Sequence, residues 1–201
     1  MRVVTVSGTT SEIGKTTLVC ALLERLPGWA AVKVTRGHYR SCGKDPETCC
    51  VSHLLGDAPR VFGERGDTDA PGKDTGRYWA AGAADVRWVV GKRGQEAAGL
   101  SRALDELEGH PGVVVEGNRV VESCRPDLAL LVVHPTQKEV KSSARRILGR
   151  IHALYVVDDA PEGARGERAA AALVGAAPGY ERPVWGPADL DAIAERARGR
   201  G

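Results

Sequence analysis

The first twenty-six residues decide most of what this chain can become. Val3-Val4-Thr5-Val6-Ser7 is a β-branched run of strand length. From Lys15 onward, Leu18, Leu22 and Leu26 recur at four-residue spacing with Val19 and Leu23 beside them, the apolar stripe of an amphipathic helix. Between the two lies Ser7-Gly8-Thr9-Thr10-Ser11-Glu12-Ile13-Gly14-Lys15-Thr16-Thr17. A glycine-bearing turn from strand to helix aims successive main-chain N–H groups inward, and the helix N-terminus adds partial positive charge. The segment from Gly8 to Thr17 therefore reads as a cradle for a polyphosphate. Lys15 would reach its β- and γ-phosphates, and the Thr16 hydroxyl would stand on Mg²⁺. The general pattern places a glycine five positions before Gly14; here Thr9 holds that place and Gly8 precedes it.

The rest of the chain repeats the alternation. Strand-like runs are expected at Ala31–Thr35, Asp85–Val90, Val113–Glu116, Leu128–Val133, Ala153–Val157 and Pro183–Trp185. Helical periods fall over Asp74–Ala83, Gln95–Leu107, Ser142–Arg150, Arg165–Val174 and Ala188–Arg198. Continuous apolar strands separated by helices are buried on both faces. That predicts one α/β domain over residues 1–201, a mostly parallel sheet with helices on both sides, of the P-loop NTPase class. Arg36 to Thr68 is polar and weakly periodic, and its stretch of about 39–68 reads as an insertion. Ligands of such sheets sit at the carboxyl ends of the strands. Glu116, closing an apolar run, is then the acid expected near the metal. Asp74 is a second metal-side acid or a helix cap, and Lys33 a contact to phosphate, to an acidic substrate or to solvent.

Charge and composition exclude several classes. Lys and Arg total 28 against 26 Asp and Glu, a net charge of +2, which does not describe a dedicated nucleic-acid binder. No apolar run nears the ~18 residues of a membrane span, and Met1-Arg2-Val3-Val4 leads straight into a strand. The expectation is a soluble, cytoplasmic protein with neither membrane nor nucleic acid as partner. The 5 cysteines, without an export signal, argue against a disulfide framework. His38, Cys42, Cys49, Cys50 and His53 are close enough to form a Zn²⁺ site or an Fe–S cluster, with free or buried thiols as the alternative.

Several segments resemble known families. The loop with Gly8-Thr9 ahead of Gly14-Lys15-Thr16 is similar to that of the dethiobiotin synthetase and cobyrinic acid synthetase group. Asp69-Ala70-Pro71-Gly72-Lys73-Asp74-Thr75-Gly76-Arg77-Tyr78-Trp79-Ala80-Ala81-Gly82-Ala83 resembles the Pro-Gly-Lys-Asp-Ser…Arg…Ala-Gly-Ala signature of the molybdopterin-guanine dinucleotide biosynthesis protein B family. Val32-Lys33-Val34-Thr35 with His38, Val114-Val115-Glu116-Gly117, and the tail from Arg182-Pro183-Val184-Trp185 to Ala194 are similar to the same family. The resemblance implies a small Mg²⁺-dependent GTPase, a homodimer, working with a partner enzyme that attaches a nucleotide to molybdopterin. Thr16, Asp74 and Glu116 would surround the metal. Two further readings stand beside it: an ATP-dependent ligase or kinase activating a small carboxylate, and a nucleotide-gated metal carrier. Where GTP-specific proteins carry Asn-Lys-x-Asp, this chain has Asp158-Asp159-Ala160-Pro161, which leaves GTP against ATP open. Arg36, Arg77 and Arg119 are the candidates for an arginine finger.

Overall fold

Along Leu128–Val133 every residue is buried, and successive side chains enter different cores. Leu128, Leu130 and Val132 face one layer of helices; Ala129, Leu131 and Val133 face the other. That period of two with both faces apolar is what a central parallel strand requires. The structure, a computed structural model, describes residues 1–37, 51–135, 140–157 and 182–199.

In chain order the strands are β1 (Arg2–Gly8), β2 (Ala30–Arg36), β3 (Arg60–Phe62), β4 (Val86–Gly91), β5 (Gly112–Glu116), β6 (Leu128–Val133), β7 (Ala153–Val156) and β8 (Val184–Trp185). The helices are α1 (Lys15–Leu23), α2 (Arg65–Thr68), α3 (Asp74–Ala80), α4 (Glu96–Glu106), α5 (Ser142–Ile147) and α6 (Leu190–Ala197). The strands form one sheet in the order β3-β4-β2-β5-β1-β6-β7-β8. Every neighbouring pair is parallel except β3 with β4. Helices α1, α3 and α6 pack on one face; α4 and α5 pack on the other. This is an α/β architecture, a mostly parallel sheet with helices on both sides.

Local differences from the sequence pattern have physical causes. Helix α1 stops at Leu23, because the chain tightens to three-residue spacing before Pro27-Gly28: the Arg25 N–H donates to the Leu22 carbonyl at 3.0 Å and that of Leu26 to Leu23 at 3.1 Å. Leu26 remains fully buried all the same. Helix α3 ends at Ala80 rather than Ala83, where Gly82 turns with φ 87°. Lys73, not Asp74, holds its cap position. The period over Ser142–Arg150 divides into α5 and a tight turn at Leu148–Arg150. Strand β3 falls inside the polar stretch and has three residues, too few to show a period; it is an antiparallel edge on β4, with Phe62 tilted against Trp88 at 5.2 Å. The helix expected over Arg165–Val174 lies outside the described residues, as do Asp158 and Asp159.

Candidate functional site

Strand β1 delivers the loop. The Thr9 N–H still donates to Val132 of β6 at 3.1 Å, so the strand ladder continues through Thr9 and the turn begins after it. A Cβ on Gly8 would stand 2.7 Å from Ile13 Cγ2 and 3.0 Å from the Lys15 side chain, which fold back over it. The glycine is therefore required at position 8, one residue earlier than the general pattern, and Thr9 is buried at 1% exposure. Gly14 caps α1 with φ 94° and Glu12 has φ 57°, the left-handed turns that coil the loop. The Lys15 ammonium lies across the loop and donates to the Thr10 carbonyl at 3.0 Å. Burial, and then the neighbouring cations Lys33 and Lys141, draw its pKa below the ordinary lysine value, although Glu116 and Asp74 oppose them.

Strand alternation places Glu116 and Lys33 on the α1–α3 face. Glu116 closes β5 whereas Lys33 stands midway along β2, and the two are register partners. Glu116 is 1% exposed, a carboxylate that must be compensated where it stands. Lys33 pairs with it, the buried Tyr78 hydroxyl donates to its Oε2, and Thr16 Oγ1 lies 2.9 Å from the same oxygen. Asp74, at the start of α3, is reached by Thr16 Oγ1 at 3.1 Å and by Lys33 Nζ at 2.6 Å. Burial alone would raise the Asp74 carboxyl; the hydrogen bond and charge of Lys33, followed by the Thr16 bond, hold it below the usual range. Tyr78 moves the other way, pushed well above the ordinary phenol value first by burial and then by Glu116. Thr16, Asp74 and Glu116 thus meet at one point.

The donor set suits a hard divalent cation. Two carboxylates and one hydroxyl supply oxygen alone, and Mg²⁺ is bound by few protein oxygens together with phosphate and water. These residues open onto a cleft of ≈1090 Å³, lined on this side by the loop from Ser11 to Thr17, Lys33, Asp74 and Arg77.

Further residues close the site. Lys141, ahead of α5, donates from its main chain to the Thr9 carbonyl at 3.1 Å and from its ammonium to Ser11 Oγ at 2.9 Å. Gly117 donates to the Val6 carbonyl at 3.1 Å and passes so close to β2 that a Cβ would meet Val120 at 2.6 Å and Val34 at 3.3 Å. Among the arginines, Arg77 reaches Thr17 Oγ1 at 3.3 Å, while Arg36 and Arg119 stand at the other end of the cleft, held by Glu96 and Glu122. His53 lies in a short turn at Ser52–Leu54; Cys42, Cys49 and Cys50 are outside the described residues. Among the described residues no group of three or more His, Cys, Asp or Glu side chains gathers. No described helix is long and apolar enough to cross a membrane.

No family model matches the sequence, and no curated protein matches it either. Among solved structures, the chain is similar to LpxK from Aquifex aeolicus, in a structure titled as its "apo" form in complex with ATP. The TM-score is 0.45 at 17% identity over 78% of this chain. The match covers 48% of that protein, so this chain spans about half its length.

Proposed function

We propose that the protein is a Mg²⁺-dependent P-loop NTPase that binds a purine nucleoside triphosphate between the Gly8–Thr17 loop and the Asp74–Glu116 pair. The observation that carries this reading is the convergence of the Thr16 hydroxyl on both carboxylates beside the loop. Magnesium, when bound there, would supply charge to the β- and γ-oxygens of the nucleotide. The chain's own residues do the rest. Main-chain amides and Lys15 hold the polyphosphate tail, Thr16 orients the metal side, and Tyr78 and Lys33 hold Glu116 in place.

Within this class we favour the role implied by the resemblance to the molybdopterin-guanine dinucleotide biosynthesis protein B family: a homodimeric GTPase that assists a partner enzyme in nucleotide attachment. Glu116-Gly117 and the Gly72-Lys73-Asp74 segment, the matched residues, both contribute to the acid pair. The competing ligase or kinase reading shares the loop and differs in nucleotide choice.

Titration with GTP and ATP, with and without Mg²⁺, tests both levels. Mg²⁺-dependent triphosphate binding that weakens about tenfold or more in Lys15→Ala supports the NTPase reading. GTP over ATP supports the family role, whereas ADP release that depends on a carboxylate substrate supports the ligase. Binding of neither nucleotide overturns the proposal.

A further inference from the structure

The cleft does not end at the acid pair. Lys33 is in register with Glu116, the last residue of β5, whereas Arg36 is in register with Gly91 of β4. Three further residues at ~3.3 Å each carry the end of β2 roughly 10 Å beyond the carboxylates. Alternation also turns Arg36 to the opposite face of the sheet, where it pairs with Glu96 at the start of α4. Arg93, Asn118 and Arg119 line the same half of the cleft. Its wall therefore crosses from the α1–α3 face to the α4 face at the junction of β2 and β5.

Two features of this half are not explained by holding a polyphosphate. Asn118 Oδ1 is shielded from solvent and has no hydrogen-bond partner among the described residues. A buried amide oxygen left unpaired is a cost that a bound N–H or O–H donor removes. The second feature is cationic. Arg36 and Arg119 each spend part of a five-donor guanidinium on a fixed acid, which orients the fork and leaves donors over, while exposed Arg93 makes no ion pair among the described residues. Guanidinium groups in fixed orientation suit planar or tetrahedral oxyanions.

We propose that this half of the cleft is a second-substrate subsite. Its occupant is a small molecule that offers an oxyanion, carboxylate or phosphate monoester, to the arginines and a hydrogen-bond donor to Asn118. The proposal deepens the nucleotide reading by naming what lies beside the triphosphate, and rests on it for the identity of the first occupant. The subsite residues are separate from the loop.

That separation makes the two claims testable apart. Inorganic phosphate and acetate are titrated into Lys15→Ala protein, in which the loop is disabled, and the Asn118 side-chain amide and the arginine Nε resonances are followed by NMR. Saturable shifts are expected. Arg93→Ala should weaken the response about tenfold, and Asn118→Asp, which keeps the shape and adds a negative charge, should abolish it. A response to phosphate alone assigns a phosphate monoester, and one to acetate alone a carboxylate. Absence of saturation by either anion, or an unchanged response in Arg93→Ala, overturns the subsite. Wild-type protein that binds phosphate through Arg93 yet binds no triphosphate would sink the nucleotide reading and leave this one standing.

Discussion

Lys33 Nζ lies 2.6 Å from Asp74 Oδ2 and also pairs with Glu116, so a single ammonium bridges the two carboxylates. Removing it while keeping the stem, as in Lys33→Met, leaves Glu116 buried with an uncompensated charge. The metal-free protein should lose about 3 kcal/mol of stability, the scale of an orphaned buried ion. Added Mg²⁺ should then restore more of the melting temperature in the variant than in the wild type. Thermal unfolding with and without MgCl₂ checks this; equal gains in both proteins would show that Lys33 and the cation do not share the carboxylates.

Tyr78→Phe removes one hydroxyl and nothing else from the core. Glu116 Oε2 then loses a donor in a site where water does not replace it. A loss of about 1–2 kcal/mol is expected from denaturant melts. Mg²⁺-dependent nucleotide affinity should fall as well, because Glu116 is less firmly placed. Unchanged affinity would assign Tyr78 to packing alone.

Gly76→Ala tests the seating of α3. The added Cβ would stand 2.2 Å from the Ala70 carbonyl oxygen and 2.9 Å from its carbon, both main-chain atoms that cannot rotate aside. Destabilisation of about 1–3 kcal/mol is expected, as for other overpacked positions. Because α3 carries Asp74 and Tyr78, divalent-cation binding should weaken even at temperatures where the variant is folded. Gly72→Ala, with open space around its Cβ but φ 74°, should cost stability through the backbone without a collision.

Burial pushes the Cys124 thiol up to about 11 from an ordinary 9.0. A group whose folded pKa is raised stabilises fully below the unfolded value and loses that contribution as pH climbs through the folded one. Stability should therefore decline between about pH 9 and 11. Cys124→Ala should flatten that part of the profile. At pH 8 alkylation of Cys124 should be slow in the folded protein and fast in denaturant.

How much of this was open to inspection in the amino-acid order differs by element. The runs Val113–Glu116 and Leu128–Val133 announced themselves because strands covered on both faces have no polar residues to interrupt them. Glu116 was visible for the same reason, an acid at the end of an otherwise apolar run. The displaced glycine of the loop was visible too, but not its cause, the side chains of Ile13 and Lys15 that fold back over position 8. Tyr78 and Lys141 gave no signal, since an aromatic on a short helix and a lysine before one are each common. Lys33 reads from the sequence as a strand-end cation, but it stands midway along β2, and only sheet order, β2 beside β5, supplies its partner Glu116. Strand β3, with its three residues, was too short for any period to register.

That adjacency of β2 and β5 has a kinetic corollary. Lys33 and Glu116 are 83 residues apart in the chain and meet only through pairing of their strands. A slip of one position would send either side chain to the wrong face. Long-range pairings close late, after local turns and helices have formed. Competence to hold metal should accordingly arrive at the end of folding, making cation capture a stricter gauge of refolded chain than recovered helicity.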